Sequence, residues 1–208
     1  MHSLTALHNN LQRLTKQLEM TPDDHRVCIQ RGMVSFQLGD IAAAIEDFDR
    51  AERLYPAVTP YLWQRGLAYY YAGRFADGVR QFEVDLTVNS HDVEETVWRY
   101  LCQAQLLGAA AARANLYPVK QDTRPVMGWI YQLFAGTCDA DDVLAQYRQA
   151  SRHNSFYSHL YVGLYFEAAG NSERACHHIG TAAALHVVED YMGWVAMVHQ
   201  HLRGWDTP

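Results

Sequence analysis

The sequence has no long apolar run and comparatively little charge. No stretch approaches the ~20 apolar residues needed to cross a bilayer, so no membrane span is expected. Charged residues are 19% of the 208, the net charge is −6, and Lys and Arg are scattered singly. That leaves no basic stripe of the kind nucleic-acid backbones require. The four cysteines, Cys28, Cys102, Cys138 and Cys176, lie far apart and form no CxxC pair. On helices they read as small apolar groups, in the cytoplasm or another reducing compartment. The first residues lack a positive segment and a continuous apolar core, so no secretion signal is expected there. Import into an organelle, with later removal of a targeting segment, is compatible with the same residues. Neither GxGxxG, GxxxxGK[ST] nor GxSxG occurs. Cys176 precedes His177, but helix neighbours do not face each other. No catalytic residue and no cofactor is assigned.

What the sequence does have is a period. Gly32, Gly39 and Phe48 reappear as Gly66, Gly73 and Phe82, offset by 34 residues. Repeat 1 spans 25–58 and repeat 2 spans 59–92. Gly39 and Gly73 fall in a turn between two helices, where glycine enters the left-handed region at little cost. The small residues let helices approach closely, and the aromatic fills the gap beside them. Gly163, Gly170, Ala175, Ile179 and Ala182 mark a late repeat over 156–187. Between them, 93–155 reads as degenerate helical repeats. Trp98, Leu101 and Ala104 lie on one helix, 115–125 forms a loop, and Pro125 is suited to open the next helix. A further short pair covers 126–134 and 141–150. Asp139, Asp141 and Asp142 read as the cap of its second helix. Leu4, Leu7, Leu11, Leu14 and Leu18 form an apolar stripe on an N-terminal helix within 1–22. Val188, Tyr191, Val195, Val198 and Leu202 do the same over 188–203, so both ends read as caps. The expectation is about twelve helices and no strand in one all-α domain.

This pattern resembles the tetratricopeptide repeat (TPR) family. The family marks carried here are Gly32, Ala44, Phe48, Ala51 and Pro56 in repeat 1, and Gly66, Tyr69, Gly78 and Phe82 in repeat 2. Repeat 2 departs from them at Asp85, where Ala is usual, and at Ser90, where Pro is usual. The resemblance implies a right-handed α-solenoid of stacked hairpins. It also implies a concave groove faced by Ile29, Met33 and Phe36 of repeat 1 and by Trp63, Leu67 and Tyr70 of repeat 2. The Lys and Asn with which chaperone-binding TPR domains hold a C-terminal carboxylate are absent from these positions. The stripe is instead apolar and aromatic, suited to a partner helix or extended peptide. The alternative is contact with the chain's own N-terminal helix or with a second subunit, making a homodimer seam.

Arg31, Arg65 and Arg99 recur with the same period. They read first as a ladder of ion pairs to Asp47, Asp49 or Glu83, and alternatively as a site for an acidic ligand. Of eleven histidines, seven crowd the last third: His153, His159, His177, His178, His186, His199 and His201. No pair on one helix has metal-ligand spacing, so no metal site is assigned, although a His-rich metal or cofactor protein, and even an enzyme, is a further alternative. Tyr157, Tyr161 and Tyr165 share one helical face and are the best polar-pocket candidates, with His159 pointing away.

The order of parts also resembles the NlpI-type TPR lipoproteins of bacterial envelopes. The stretches carrying that likeness are Val97-Trp98-Arg99-Tyr100-Leu101, 129–136 and 161–170. This second resemblance implies a homodimeric, non-catalytic adaptor. The chain departs from it in having no lipid-attachment Cys near its start, so only the scaffold type carries over.

Overall fold

The computed structural model describes residues 4–119, 122–147 and 151–205. Among them the regular structure is helical throughout, with no strand. The chain divides into two compact units, 1–88 and 89–208.

The first unit holds α1 (Leu4–Met20), α2 (His25–Gln37), α3 (Ile41–Leu54), a 3-10 helix (Pro56–Tyr61), α4 (Trp63–Tyr71) and α5 (Phe75–Asp85). Each helix packs on the next in chain order. Two hairpins, α2–α3 and α4–α5, fall where the period places them. In α1, Leu7, Leu14 and Leu18 are buried while Leu4 stays exposed. Pro56 opens the 3-10 helix rather than simply closing a repeat, and Pro60 lies within it. The first helix of repeat 2 therefore begins only at Trp63 and is short.

The turns of the two hairpins are superimposable in their bonding. Gly39 N–H donates to Phe36 O (2.8 Å) and Asp40 N–H to Ser35 O (2.9 Å); Gly73 donates to Tyr70 O (3.2 Å) and Arg74 to Tyr69 O (2.9 Å). Both glycines have positive φ, 81° and 71°. This is a Schellman stop, which satisfies the last carbonyls of a helix. The next helix is capped by Asp40, whose Oδ1 accepts from Ala43 N–H at 3.0 Å. Arg74 stands in the same place in repeat 2 and provides no such cap.

The close approach within each hairpin explains the small residue at its centre. A Cβ at Gly66 would lie 2.5 Å from the Phe82 ring, and one at Gly32 would lie 3.1 Å from the Phe48 ring. Both phenyl rings are buried.

The second unit holds α6 (Val93–Leu107), α7 (Ala109–Ala114), α8 (Pro125–Ala135), α9 (Ala140–Tyr147), α10 (Arg152–Ala168), α11 (Ser172–Ala184) and α12 (Tyr191–Leu202). Pro125 does open α8. The expected helix over 141–150 is seen as α9, and its last three positions lie outside the described residues. A reciprocal box starts it: Asp142 N–H donates to Asp139 Oδ1 (2.9 Å), and Asp139 N–H to Asp142 Oδ2 (3.0 Å). The late repeat is the hairpin α10–α11, and α10 begins at Arg152, a turn before the period suggests. Its turn repeats the bonding of the first unit, with Asn171 N–H donating to Phe166 O at 2.8 Å.

Contacts in this unit are less serial than in the first. α10 touches α6, α8, α9 and α11. α6 touches α8 and α10, the first helices of later hairpins, as well as the short α7. α12 packs on α11, with Val195 and Val198 buried, as a capping helix should.

Candidate protein-binding surface

The six stripe residues of the first unit divide evenly by exposure. Phe36, Leu67 and Tyr70 are at most 2% exposed, whereas Ile29, Met33 and Trp63 are half-buried. The first three therefore belong to the core and cannot offer a partner much area. Their position follows from helical geometry: the C-terminal parts of α2 and α4 turn into the hairpin core, where Tyr70 meets Phe75 edge-on at 5.7 Å and Phe36 meets Tyr71 at 5.7 Å. The N-terminal parts hold the more exposed side chains. Gln64 Nε2 lies 3.9 Å from Met33 Sδ, so α4 meets α2 beside the half-buried Met33.

The arginine period is a ladder with one constant step. Arg31 forks onto Asp47, Nε to Oδ2 at 2.8 Å and Nη2 to Oδ1 at 2.7 Å. Arg65 Nε donates to Gln81 Oε1 at 2.7 Å, and Arg99 Nη1 donates to the Asn115 carbonyl at 2.9 Å. Each bond joins residues 16 apart. The third rung ends on a backbone oxygen because α7 stops at that point. Arg65 is the most buried rung and also binds Asp49 (3.1 Å) and Glu52 (2.7 Å). Burial acts against its charge, and these bonds nonetheless raise its pKa above the ordinary guanidinium value. The acidic-ligand reading therefore has little to draw on at Arg31 and Arg65.

The ladder continues inward. Gln81 Nε2 donates to Asp85 Oδ1 (2.7 Å) and to the Thr59 carbonyl (2.9 Å). Asp85 is fully buried, and among the described residues its Oδ2 has no hydrogen-bond partner. Burial pushes its carboxyl up to about 7 against the opposing pull of Gln81 and Arg65.

The tyrosine face of α10 meets two carboxylates in the second unit. Tyr161 donates to Glu94 Oε1 and Tyr157 to Asp190 Oδ2, each at 2.7 Å. Tyr165 accepts from Arg113 at 3.2 Å. Arg124 donates to Glu94 and to Asp122 (2.7 Å), with Asp92 at 3.6 Å. An open hollow of about 520 Å³ lies alongside, lined by Asn89, His91, Asp92, Asp122, Thr123 and Arg124. The Arg124 charge is taken up by three carboxylates. Burial raises Glu94 to about 7 although Arg124 and Tyr161 pull it down. Nothing in the sequence pairs Glu94 with Tyr161, because they are 67 positions apart.

No family model matches the chain. Among curated proteins, it is 29% identical over 117 residues to "Protein SGT1 homolog" of Bos taurus. The match covers 54% of this chain and 35% of that protein. The chain thus spans about a third of the length of the curated relative it matches. Stacked helical hairpins at a 34-residue offset are compatible with a TPR-type superfamily.

The histidines hold a second feature that spacing along one helix misses. His159 of α10 and His178 of α11 face each other, Nδ1 to Nδ1 at 3.0 Å. His159 does point away from the tyrosine face, and it does so toward the partner helix. His199 is fully buried beside Glu167 (3.4 Å) and is held down to about 4 by burial. Cys28 and Cys102 are buried as expected, while Cys138 and Cys176 are half-buried. Among the described residues, no helix is long and apolar enough to cross a membrane.

Proposed function

We propose that the chain is a non-catalytic interaction module of TPR type, a scaffold or adaptor. The solenoid-like hairpins of the first unit would present Ile29, Met33 and Trp63 to the apolar side chains of a partner peptide or helix. One observation carries this reading: Ile29 and Trp63, at matching positions of consecutive hairpins, stay half-exposed, as does Met33, while the core residues behind them are sealed. A rigid aromatic on a fixed backing loses little entropy on docking and dominates such interfaces. Phe36, Leu67 and Tyr70 act as backing rather than contact. The resemblance to NlpI-type proteins supports the scaffold type and no particular partner.

The test is quantitative affinity capture with wild type, Trp63→Ala and Met33→Ala, followed by direct titration of the recovered protein. Trp63→Ala should weaken binding by about 2 kcal/mol, roughly thirtyfold, with helicity unchanged. Equal affinity of wild type and variant refutes the site. A stoichiometric dimer dissociated by Trp63→Ala in light scattering would reassign the stripe to self-association.

A further inference from the structure

Two imidazoles from different helices meet in the late hairpin. His159 Nδ1 and His178 Nδ1 are 3.0 Å apart, and the ring centres are 5.3 Å apart. That is close to the full reach of two rings touching edge to edge, so the N–H of one aims straight at the lone pair of the other. Phe166 stacks on the His178 ring at 5.8 Å, and the Arg174 guanidinium lies 3.9 Å over Phe166. His178 is buried, whereas half-buried His159 lines a cavity of about 220 Å³ with Tyr147 and Ser155.

We propose that this pair is an acid-released latch between α10 and α11, which holds with one added proton and opens at the second. In the neutral pair the donor ring carries its proton on Nδ1 and leaves Nε2 bare. A first proton settles on that Nε2. The N–H···N bond stays in place and becomes charge-assisted. The one nitrogen then left to protonate is the Nδ1 that accepts the bond. A second proton there sets two N–H groups and two positive charges against each other, and the rings must part. His159 is the ring that charges first, because it borders the cavity while His178 is sealed. Burial lowers both pKa values; for His178, brought to about 4, the charge of His159 adds to burial, followed by His177 and Arg174. The groups facing the pair are Tyr147 and Asp141 of α9 and His177 and Arg174 of α11. Asp141, the carboxylate among these, is exposed and paired with Arg174 at 3.4 Å, so it offsets little of a doubly charged pair. Toward α12, Glu167 is engaged by His199 and Arg203. Parting the rings removes the stacking partner of Phe166 and loosens α11 from α10 at mid-hairpin.

The experiment follows the imidazole nitrogens of the full chain by NMR from pH 7.5 to 3.5, beside segment-resolved hydrogen exchange. In the wild type His159 should charge first, with His178 neutral and α11 still protected. Protection of α11 should fall at least tenfold, reversibly, only as His178 charges, while α2 and α3 keep theirs. His159→Gln supplies an amide that can donate or accept and takes no proton, so its α11 should keep its protection through the same range. Three results overturn the latch. In the first, His178 charges before His159, or α11 opens with the first proton. In the second, α2 and α3 lose protection together with α11, which is general acid unfolding. In the third, His159→Gln loses α11 protection at the same pH as wild type. The wild-type titration decides the first two without any variant.

Discussion

Asp85 offers the sharpest test of how the repeat scaffold is held. It occupies the position that Ala51 fills in repeat 1 and Ala182 in the late repeat, and it is fully buried. Its carboxyl stands at about 7 against an ordinary 3.8, chiefly through burial. That difference corresponds to about 4 kcal/mol of penalty on the charged form. The sign follows from proton binding. Between pH 4 and 7 the unfolded chain has released this proton and the folded chain still holds it. Stability contributed at Asp85 is therefore complete below about pH 4, declines as pH rises, and is gone above about 7. Asp85→Asn removes the titration while keeping shape and polarity. At pH 8 it should be more stable than wild type by about 2–4 kcal/mol, with the gain shrinking toward pH 4.5. Urea unfolding followed by circular dichroism and by tryptophan fluorescence at four pH values measures this. Coincidence of the two probes checks that one transition is being observed. If Asp85→Asn is less stable than wild type at pH 8, the carboxylate is ionised and held by Arg65 through Gln81, and the reasoning fails.

Other expectations concern close contacts and buried charge. Gly66→Ala places a methyl against the Phe82 ring and should cost about 1–3 kcal/mol in urea unfolding. Gly193→Ala should cost at least as much, because its Cβ would fall on the Val187 carbonyl, which is backbone and cannot swing aside. Arg65→Ala strands Asp49, Glu52 and Gln81 and should cost about 3 kcal/mol, whereas Arg31→Ala, on a less buried rung, should cost less.

The repeat made most of the local architecture readable before any coordinates. Gly39, Gly73 and Gly170 mark turns because only a residue tolerant of positive φ closes them cheaply. Gly32, Gly66 and Gly163 mark hairpin centres because a side chain there would meet Phe48, Phe82 or Ile179. Signals of this kind are local or strictly periodic. The exposure of the stripe was not readable, since family positions say which way Phe36 and Tyr70 point and nothing about what lies over them. Pairings between distant segments were hidden as well. Tyr161 with Glu94, and His159 with His178, depend on how helices are placed in the second unit, and no spacing along one helix encodes that. The weak repeat marks between 93 and 155 correspond to a real change: a six-residue α7 and an α10 that contacts four other helices.

The buried titratable groups are distributed unequally, and this yields a last prediction. In the first unit Asp85 loses stability as pH rises from about 4 to 7. Glu94 acts in the same direction in the second unit. There, however, His178 and His199 are both held down to about 4. An imidazole kept neutral by folding opposes protonation, so its contribution is complete above about pH 6.5 and is lost as pH falls toward 4. Two such imidazoles against one carboxyl leave the second unit gaining stability with rising pH, while the first unit loses it. Hydrogen exchange resolved by segment can separate the two after correction for the intrinsic rate. Between pH 4.5 and 6.5, protection of α4 and α5 should fall, and protection of α11 and α12 should rise. In Asp85→Asn the fall in α4 and α5 should disappear while the rise in α11 and α12 remains. A change of the same sign in both sets of helices would show that these four buried groups do not govern the pH response.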